Sequence, residues 1–315
     1  MYKGIKMSSL KTFSLSLAVI TALSFNGCGD SESNEGTDTD DSTAITKSGQ
    51  FIDSPVSGIE YSTPTQSGLT SIDGNFTYRE GETVTFKIGG INLGSTKANE
   101  MLTPQEVVGV TVVENSKAED MLVLLQSLDS DHDSSNGIEI NEATRNSSNS
   151  MNVNFIEDTI DINSIINQFG IDDSVKVSNT NAMAHFQETL KAKYPTQGLN
   201  FTDDIIKNKS FYKIFVKEDR TTIIYVKLTF NDNDVTFTFG TKDNFINGTT
   251  GSDTGTSSIQ PDGTLKNGSD VWELLKIESD KIIILNTITT DDNGNTIAER
   301  KMVEKWLTNK PAGFP

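Results

Sequence analysis

From about residue 199 to the end, short alternating apolar runs follow one another with only tight turns between them, and this pattern restricts the fold more than any other feature of the chain. The expected strands are 211–217, 221–230, 235–240, 263–266, 271–278, 281–288 and 296–307. Between them stand Asn231-Asp232-Asn233-Asp234, Asp262-Gly263, Ser279-Asp280 and Asp292-Asn293-Gly294-Asn295, residues that tolerate the dihedrals of tight turns. Strands this short and this closely spaced leave no room for crossover helices. They predict an antiparallel meander that closes as a barrel or sandwich over residues 196–315.

The opposite end of the chain sets the compartment. Lys3, Lys6 and Lys11 precede an apolar run from Phe13 to Leu23, and no acidic residue occurs before Cys28. The run is too short for a transmembrane helix and has the length of a signal-peptide core. It ends at Phe25-Asn26-Gly27-Cys28, which resembles the bacterial lipobox, usually Leu-Ala-Gly-Cys. Gly27 and Cys28 match its two most demanding positions, and Phe25 and Asn26 depart from it. The resemblance implies a signal peptide over 1–27, cleavage before Cys28, and a diacylglycerol and an N-acyl chain of the palmitate type on Cys28. Two or more acyl chains anchor a protein stably. Gly29, in place of Asp, points to the bacterial outer membrane, on its periplasmic or exposed face. Cys28 is the sole cysteine, so no intramolecular disulfide can form.

Residues 30–47 are Ser, Thr, Asp, Glu and Gly with almost nothing apolar, and cannot offset the entropy of ordering. Residues 28–49 are therefore read as a flexible acidic tether. Loss of the leader's three lysines takes the formal charge from −18 to −21. Such a chain repels phosphate backbones, which excludes nucleic acid as a partner. With two histidines and one cysteine, histidine-rich and cysteine-based zinc sites are excluded as well.

Residues 50–113 read as β. Val84, Phe86 and Ile88 alternate with polar residues, and Asp73-Gly74-Asn75 before Phe76 and Tyr78 signals a hairpin. The runs 53–61 and 68–78, with Gly68, Thr70, Gly74 and Phe76 in a G-x-T-x-x-x-G-x-F arrangement, resemble the small β-sandwich of carboxypeptidase-regulatory-like and Cna-B-like modules. That likeness implies a structural or adhesive unit and no catalytic residues. Asp73 to Thr77 also fits the acidic sequon of bacterial N-glycosylation. Residues 114–195 read as helical. Ser116 to Glu119 form a capping box ahead of the stripe Met121, Leu122, Leu124, Leu125 and Leu128. Further helices are expected over 162–169 and 181–194, the latter with Met183, Phe186, Leu190 and Tyr194 on its apolar face.

The one constellation that carries chemistry is 129–142, Asp-Ser-Asp-His-Asp-Ser-Ser-Asn-Gly-Ile-Glu-Ile-Asn-Glu. Oxygen ligands at alternate positions suit a hard cation such as Ca²⁺. In a twelve-residue register Asp131, Asp133 and Ser135 occupy positions 1, 3 and 5. Gly137 then supplies the position-7 carbonyl and Glu142 the bidentate carboxylate, with Ile138 as apolar anchor. A second register uses Asp129, Asp131, Asp133 and Asn136. The loop resembles an EF-hand with two departures: Asn136 stands where glycine is usual, with a positive φ expected of it, and residues 146–150 are poor helix formers. The alternative is a solvated acidic turn, although carboxylates at a helix C-terminus are unfavourable. Extracellular calcium sites bind at roughly 10⁻⁴ to 10⁻³ M, which makes this a structural staple. The string from Leu124 to Ile138 is similar to one that follows this kind of β-module in bacterial surface proteins, which implies a shared domain over 50–195.

No nucleophile elbow or Walker loop occurs. His132 is expected to face solvent, and His185 to be a surface or satisfied helix residue. Trp272, Trp306, Phe211, Phe230, Phe237 and Phe239 sit at strand spacing and suit core packing more than a ligand cavity. Leu228-Thr229-Phe230, Asp262-Gly263-Thr264-Leu265 and Trp306 resemble lipocalin-like barrels of bacterial lipoproteins. The expected fold is thus α+β, mainly β: an N-terminal β-sandwich, a helical middle segment and a C-terminal antiparallel barrel or meander. The expected role is a non-catalytic lipoprotein for surface interaction or adhesion, with a protein or glycan partner. A carrier of a small apolar or lipidic ligand is the alternative. A carboxylate hydrolase finds no defensible residues.

Overall fold

A computed structural model describes residues 45–111, 116–157, 159, 161–217, 219, 221–290, 295–311 and 314–315. The expected signal peptide, Cys28 and most of the tether lie outside the described residues.

The C-terminal alternation produces eight strands, β11 (Ser210–Val216), β12 (Ile223–Asn231), β13 (Asp234–Gly240), β14 (Gly251–Ile259), β15 (Leu265–Asn267), β16 (Asp270–Ile277), β17 (Lys281–Thr290) and β18 (Thr296–Leu307), closed into an antiparallel barrel. Phe211 pairs with Leu228, Phe230 with Val235, and Leu265 with Trp272. These residues, with Trp306, form one buried cluster, so this parity faces the lumen. The other parity carries Lys227, Thr229, Thr236 and Thr254. A short helix, α6 (Asp203–Ile206), closes one end, with Phe201 and Ile206 joining the interior cluster. The ring closes thinly, because a single ladder pair, Tyr212 with Leu307, joins β11 to β18.

Strand β14 has no counterpart among the expected strands. Its lumen-facing positions are Gly251, Asp253, Gly255, Ser257 and Ile259, apolar only at the last, and so it shows no apolar alternation. It is held instead by ladder bonds to β13 and β15. A helix also forms unexpectedly between β13 and β14, α7 (Lys242–Asn247). Thr241 and Asn244 build a capping box there, and Gly248 ends it at φ 67.

The N-terminal body holds ten strands and five helices among the described residues. One sheet runs in the order β5 (Asn75–Arg79), β1 (Thr46–Phe51), β8 (Met101–Leu102). A second runs β10 (Val153–Asn154), β7 (Ile91–Lys97), β6 (Thr83–Ile88), β3 (Glu60–Ser62), β4 (Ser67–Leu69), and β2 (Val56–Ser57) pairs with β9 (Ile138–Glu139). Strand β1 begins inside the range expected of the tether. The turn at 71–74 forms as expected, with Gly74 at φ 73 and its amide donating to Ser71. It does not close a hairpin ladder, however, because β4 and β5 belong to different sheets. A Cβ on Gly74 would lie 2.6 Å from the Phe51 carbonyl, and this crowding requires the glycine.

Helices α1 (Pro104–Val108), α2 (Lys117–Ser127), α3 (Glu142–Ser148), α4 (Ile162–Gln168) and α5 (Asn179–Lys193) complete this body. Ser116 caps α2 and accepts from the Ala118 amide. The helix stripe and the sheets share one core that includes Phe51, Phe76, Phe86, Leu122, Leu125 and Phe186. Three outward residues of the barrel, Leu275, Ile283 and Val303, belong to that core as well. The barrel is docked further by Gln187 Oε1, which accepts from the Val303 amide at 3.0 Å, and by the Lys305–Glu106 ion pair at 3.1 Å.

Candidate calcium loop and buried polar centres

The acidic loop begins where α2 stops. Leu128 is its C-cap, and Asp129 follows with 2 % exposure. Asp129 Oδ1 accepts from the Glu139 amide at 2.8 Å. Its other oxygen, Oδ2, is buried and has no hydrogen-bond partner. Burial pushes this carboxyl above its ordinary range, and the neighbouring Asp131 charge pushes the same way against the Glu139 bond. A buried carboxylate oxygen beside a second carboxylate is costly unless a cation, or a proton shared with Asp131, supplies the missing partner.

The rest of the loop is held by its own oxygens. Asp131 accepts from the Asp133 amide at 3.0 Å and from Asn136 Nδ2 at 2.9 Å. These bonds, that of Asn136 first, hold its carboxyl below the usual range. Asp133 accepts from both the amide and the hydroxyl of Ser135. Asn136 does not take the positive φ expected of it. It lies in a 3₁₀ turn over Ser134–Asn136, and His132 (φ 58) and Gly137 (φ 120) take the reversals instead. Ile138 is buried as the anchor and pairs with Val56. His132 is exposed.

Although residues 146–150 are poor helix formers, a helix does follow the loop, α3. Asn141 Oδ1 accepts from the Thr144 amide at 2.9 Å and starts the helix, and Ser148 Oγ ties its end to the Ile88 carbonyl at 2.9 Å. Capping and tertiary contact thus outweigh the poor propensity of Asn146 to Ser148. Glu142 opens this helix with its side chain exposed. Among the described residues, no three Asp, Glu, His or Cys side chains converge closely enough to hold a metal as they stand. The oxygen-only donor set and the orphaned Asp129 oxygen still suit a hard cation. They favour the register that begins at Asp129, with Asp131, Asp133 and Asn136, over the one that needs Ser135, Gly137 and Glu142.

Beside the loop stands a second polar centre. Ser54, at φ 66, donates its hydroxyl to the Ser134 carbonyl at 2.8 Å, and its oxygen lies 2.9 Å from His185 Nε2. The contact ties α5 to the loop, and which of the two partners donates follows the tautomer of His185. Burial lowers the His185 pKa. Asp53, next in the chain, is fully buried. One of its oxygens accepts from Gln126 at 2.9 Å and the other has no partner, and burial holds its carboxyl well above the ordinary range.

A third centre lies inside the barrel and carries no sequence signal beyond its alternation parity. Glu304, with no exposure, accepts from Lys213 Nζ at 2.6 Å, Asn286 Nδ2 at 2.7 Å and Trp306 Nε1 at 3.1 Å. Burial lowers the Lys213 pKa against the pull of Glu304. The pair spans β11 and β18, the junction that one ladder pair closes.

Comparison with family models, with curated proteins and with solved structures found no match to this chain.

Proposed function

We propose that this chain is a lipid-anchored extracytoplasmic protein, non-catalytic, that presents a calcium-stapled β/α body and a barrel for interaction at the bacterial surface. The observation that carries the calcium reading is the buried, partnerless Asp129 Oδ2 beside Asp131 in a loop between two capped helices. A cation there, held by Asp129, Asp131, Asp133 and Asn136, would neutralise the carboxylates and tie the end of α2 to β9. Anchoring rests on the leader and on Gly27-Cys28. Among the described residues no helix is long and apolar enough to cross a membrane, and the outer wall of the barrel carries Lys227, Thr229, Thr236 and Thr254 among its residues. A protein or glycan is the partner class that fits such a surface.

The lipid reading is tested by mass spectrometry of detergent-extracted protein. An N-terminal peptide beginning at acylated Cys28 is expected, and an unmodified chain that retains Met1 would reject it. The calcium reading is tested by melting with and without millimolar Ca²⁺. A rise in Tm that Asp131→Ala abolishes is expected, and an unchanged curve would reject the staple.

A further inference from the structure

The barrel interior gathers a lysine, an asparagine and a glutamate into one sealed cluster. Lys213 on β11, Asn286 on β17 and Glu304 on β18 are 3 %, 1 % and 0 % exposed. They share the inward parity of Phe211, Ile284 and Trp306. Glu304 Oε2 accepts from Lys213 Nζ at 2.6 Å, and Oε1 accepts from Asn286 Nδ2 at 2.7 Å. Trp306 Nε1, 3.1 Å from Oε2, fixes the carboxylate in place. One carboxyl group therefore bridges a primary amine and a primary amide, and holds the two close to each other.

A buried ion pair does not by itself call for the asparagine, whose hydrogen bonding it leaves incomplete. Asn286 Oδ1 is buried with no hydrogen-bond partner, and so is Trp272 Nε1, on the residue that pairs with Asn286 across β16 and β17. An amide placed in this way is costly as a purely structural group. Its carbonyl is open to polarisation. Burial lowers the Lys213 pKa, which favours the uncharged amine that a nucleophile requires. The Trp306 ring packs against those of Trp272 and Phe211, with centroids 4.8 and 5.6 Å apart. Such packing keeps out water that would compete for a reacting carbon.

We propose that Lys213 and Asn286 condense into an intramolecular isopeptide bond, with Glu304 as the acid–base of the reaction. The Glu304 carboxylate takes a proton from Lys213 Nζ, and the free amine attacks Asn286 Cγ. Charge moves onto Oδ1 as the new C–N bond forms, and Trp272 Nε1 is the donor left over to meet it. The carboxyl group then gives its proton to Nδ2 and takes a second one from Nζ. The C–Nδ2 bond breaks, ammonia leaves, and Glu304 ends protonated. One C–N bond replaces another, and nothing is oxidised or reduced. Holding amine and amide on one carboxyl group supplies the proximity that the reaction needs. The product ties β11 to β17 across β18, at the junction where Tyr212–Leu307 is the only ladder pair among the described residues. The inference rests on the barrel's own side chains and is independent of the calcium loop and of Cys28.

The test is peptide mapping by mass spectrometry of the folded full chain, denatured and digested after purification. A branched peptide that joins Lys213 to Asn286, lighter than its two parts by one ammonia, is expected in the wild type. The branch decides and not the loss of mass alone, because ring closure at an Asn-Gly pair such as Asn267-Gly268 also releases ammonia. Glu304→Gln keeps the shape of the side chain and should form the branch about a hundredfold more slowly over a time course. Near-ultraviolet dichroism of Trp272 and Trp306 shows that the variant is folded. Lys213→Arg should yield linear peptides only. A folded wild type in which Lys213 and Asn286 appear only in linear peptides would overturn the proposal whatever the variants do. So would an ammonia loss that maps to an Asn-Gly pair with no branch, or a branch formed at the wild-type rate in Glu304→Gln.

Discussion

Replacing Glu304 with leucine tests how the barrel is held shut. Glu304 is fully buried and accepts three hydrogen bonds, from Lys213, Asn286 and Trp306. Its loss removes the ion-pair partner of a buried ammonium group and leaves the Asp270 charge to act on it, a change that costs about 3–5 kcal/mol or somewhat less. It also orphans two neutral donors, at about 1–3 kcal/mol each if no water reaches them. The expected loss is therefore about 5 kcal/mol, concentrated at the junction where Tyr212–Leu307 is the only ladder pair among the described residues. In a chain of this size each kcal/mol shifts Tm by roughly 2–4 °C, so a fall of about 10–20 °C is expected by calorimetry. The double variant Lys213→Met, Glu304→Leu removes both charges and should recover about 3 kcal/mol of the loss, since apolar substitutes for a buried pair are often neutral or better. Urea unfolding followed by near-ultraviolet dichroism of Trp272 and Trp306 reports on the same region. A loss under about 1 kcal/mol in Glu304→Leu, or a double variant no more stable than the single one, would refute the reasoning.

Asp53→Asn should stabilise the protein at pH 7 by about 1–3 kcal/mol, because a buried carboxylate with an orphaned oxygen is replaced by a neutral group. The native carboxyl titrates above its ordinary 3.8, so the native state loses stability as pH rises from that value toward the folded pKa. The advantage of the variant should therefore vanish below about pH 4, as melting curves across pH would show. Gly90→Ala should destabilise by about 1–3 kcal/mol in equilibrium unfolding, since the added Cβ would lie 1.9 Å from the Met151 carbonyl and push apart the β6–β7 turn and the end of α3.

The parts of this fold that were legible in the sequence are those where burial writes a period. The stripe of α2 and the alternation of β11, β12, β13 and β16 to β18 read directly, because one face of each meets a core. Strand β14 did not read, since its inner positions from Gly251 to Ser257 are glycine, Asp and Ser and write no apolar period. Helix α3 did not read either: an Asn cap and the Ser148 bond to Ile88 hold a segment with weak propensity. The acidic loop was visible as a pattern. That Asp129 is its buried member became clear only from the fold, because nothing local distinguishes it from Asp131 or Asp133. Lys213 and Glu304 lay in plain view as charges on strands, and only the closure of the barrel turns both toward the lumen.

The measurement closest to the central claim is calorimetric titration of Ca²⁺ into chelator-treated protein, wild type beside Asp129→Asn. One site with a Kd of roughly 10⁻⁴ to 10⁻³ M is expected in the wild type. The variant should bind none, and without calcium it should melt higher than the wild type, because it no longer buries a charge beside Asp131. Absence of binding heat in the wild type at millimolar calcium, or calcium affinity preserved in Asp129→Asn, would contradict the account.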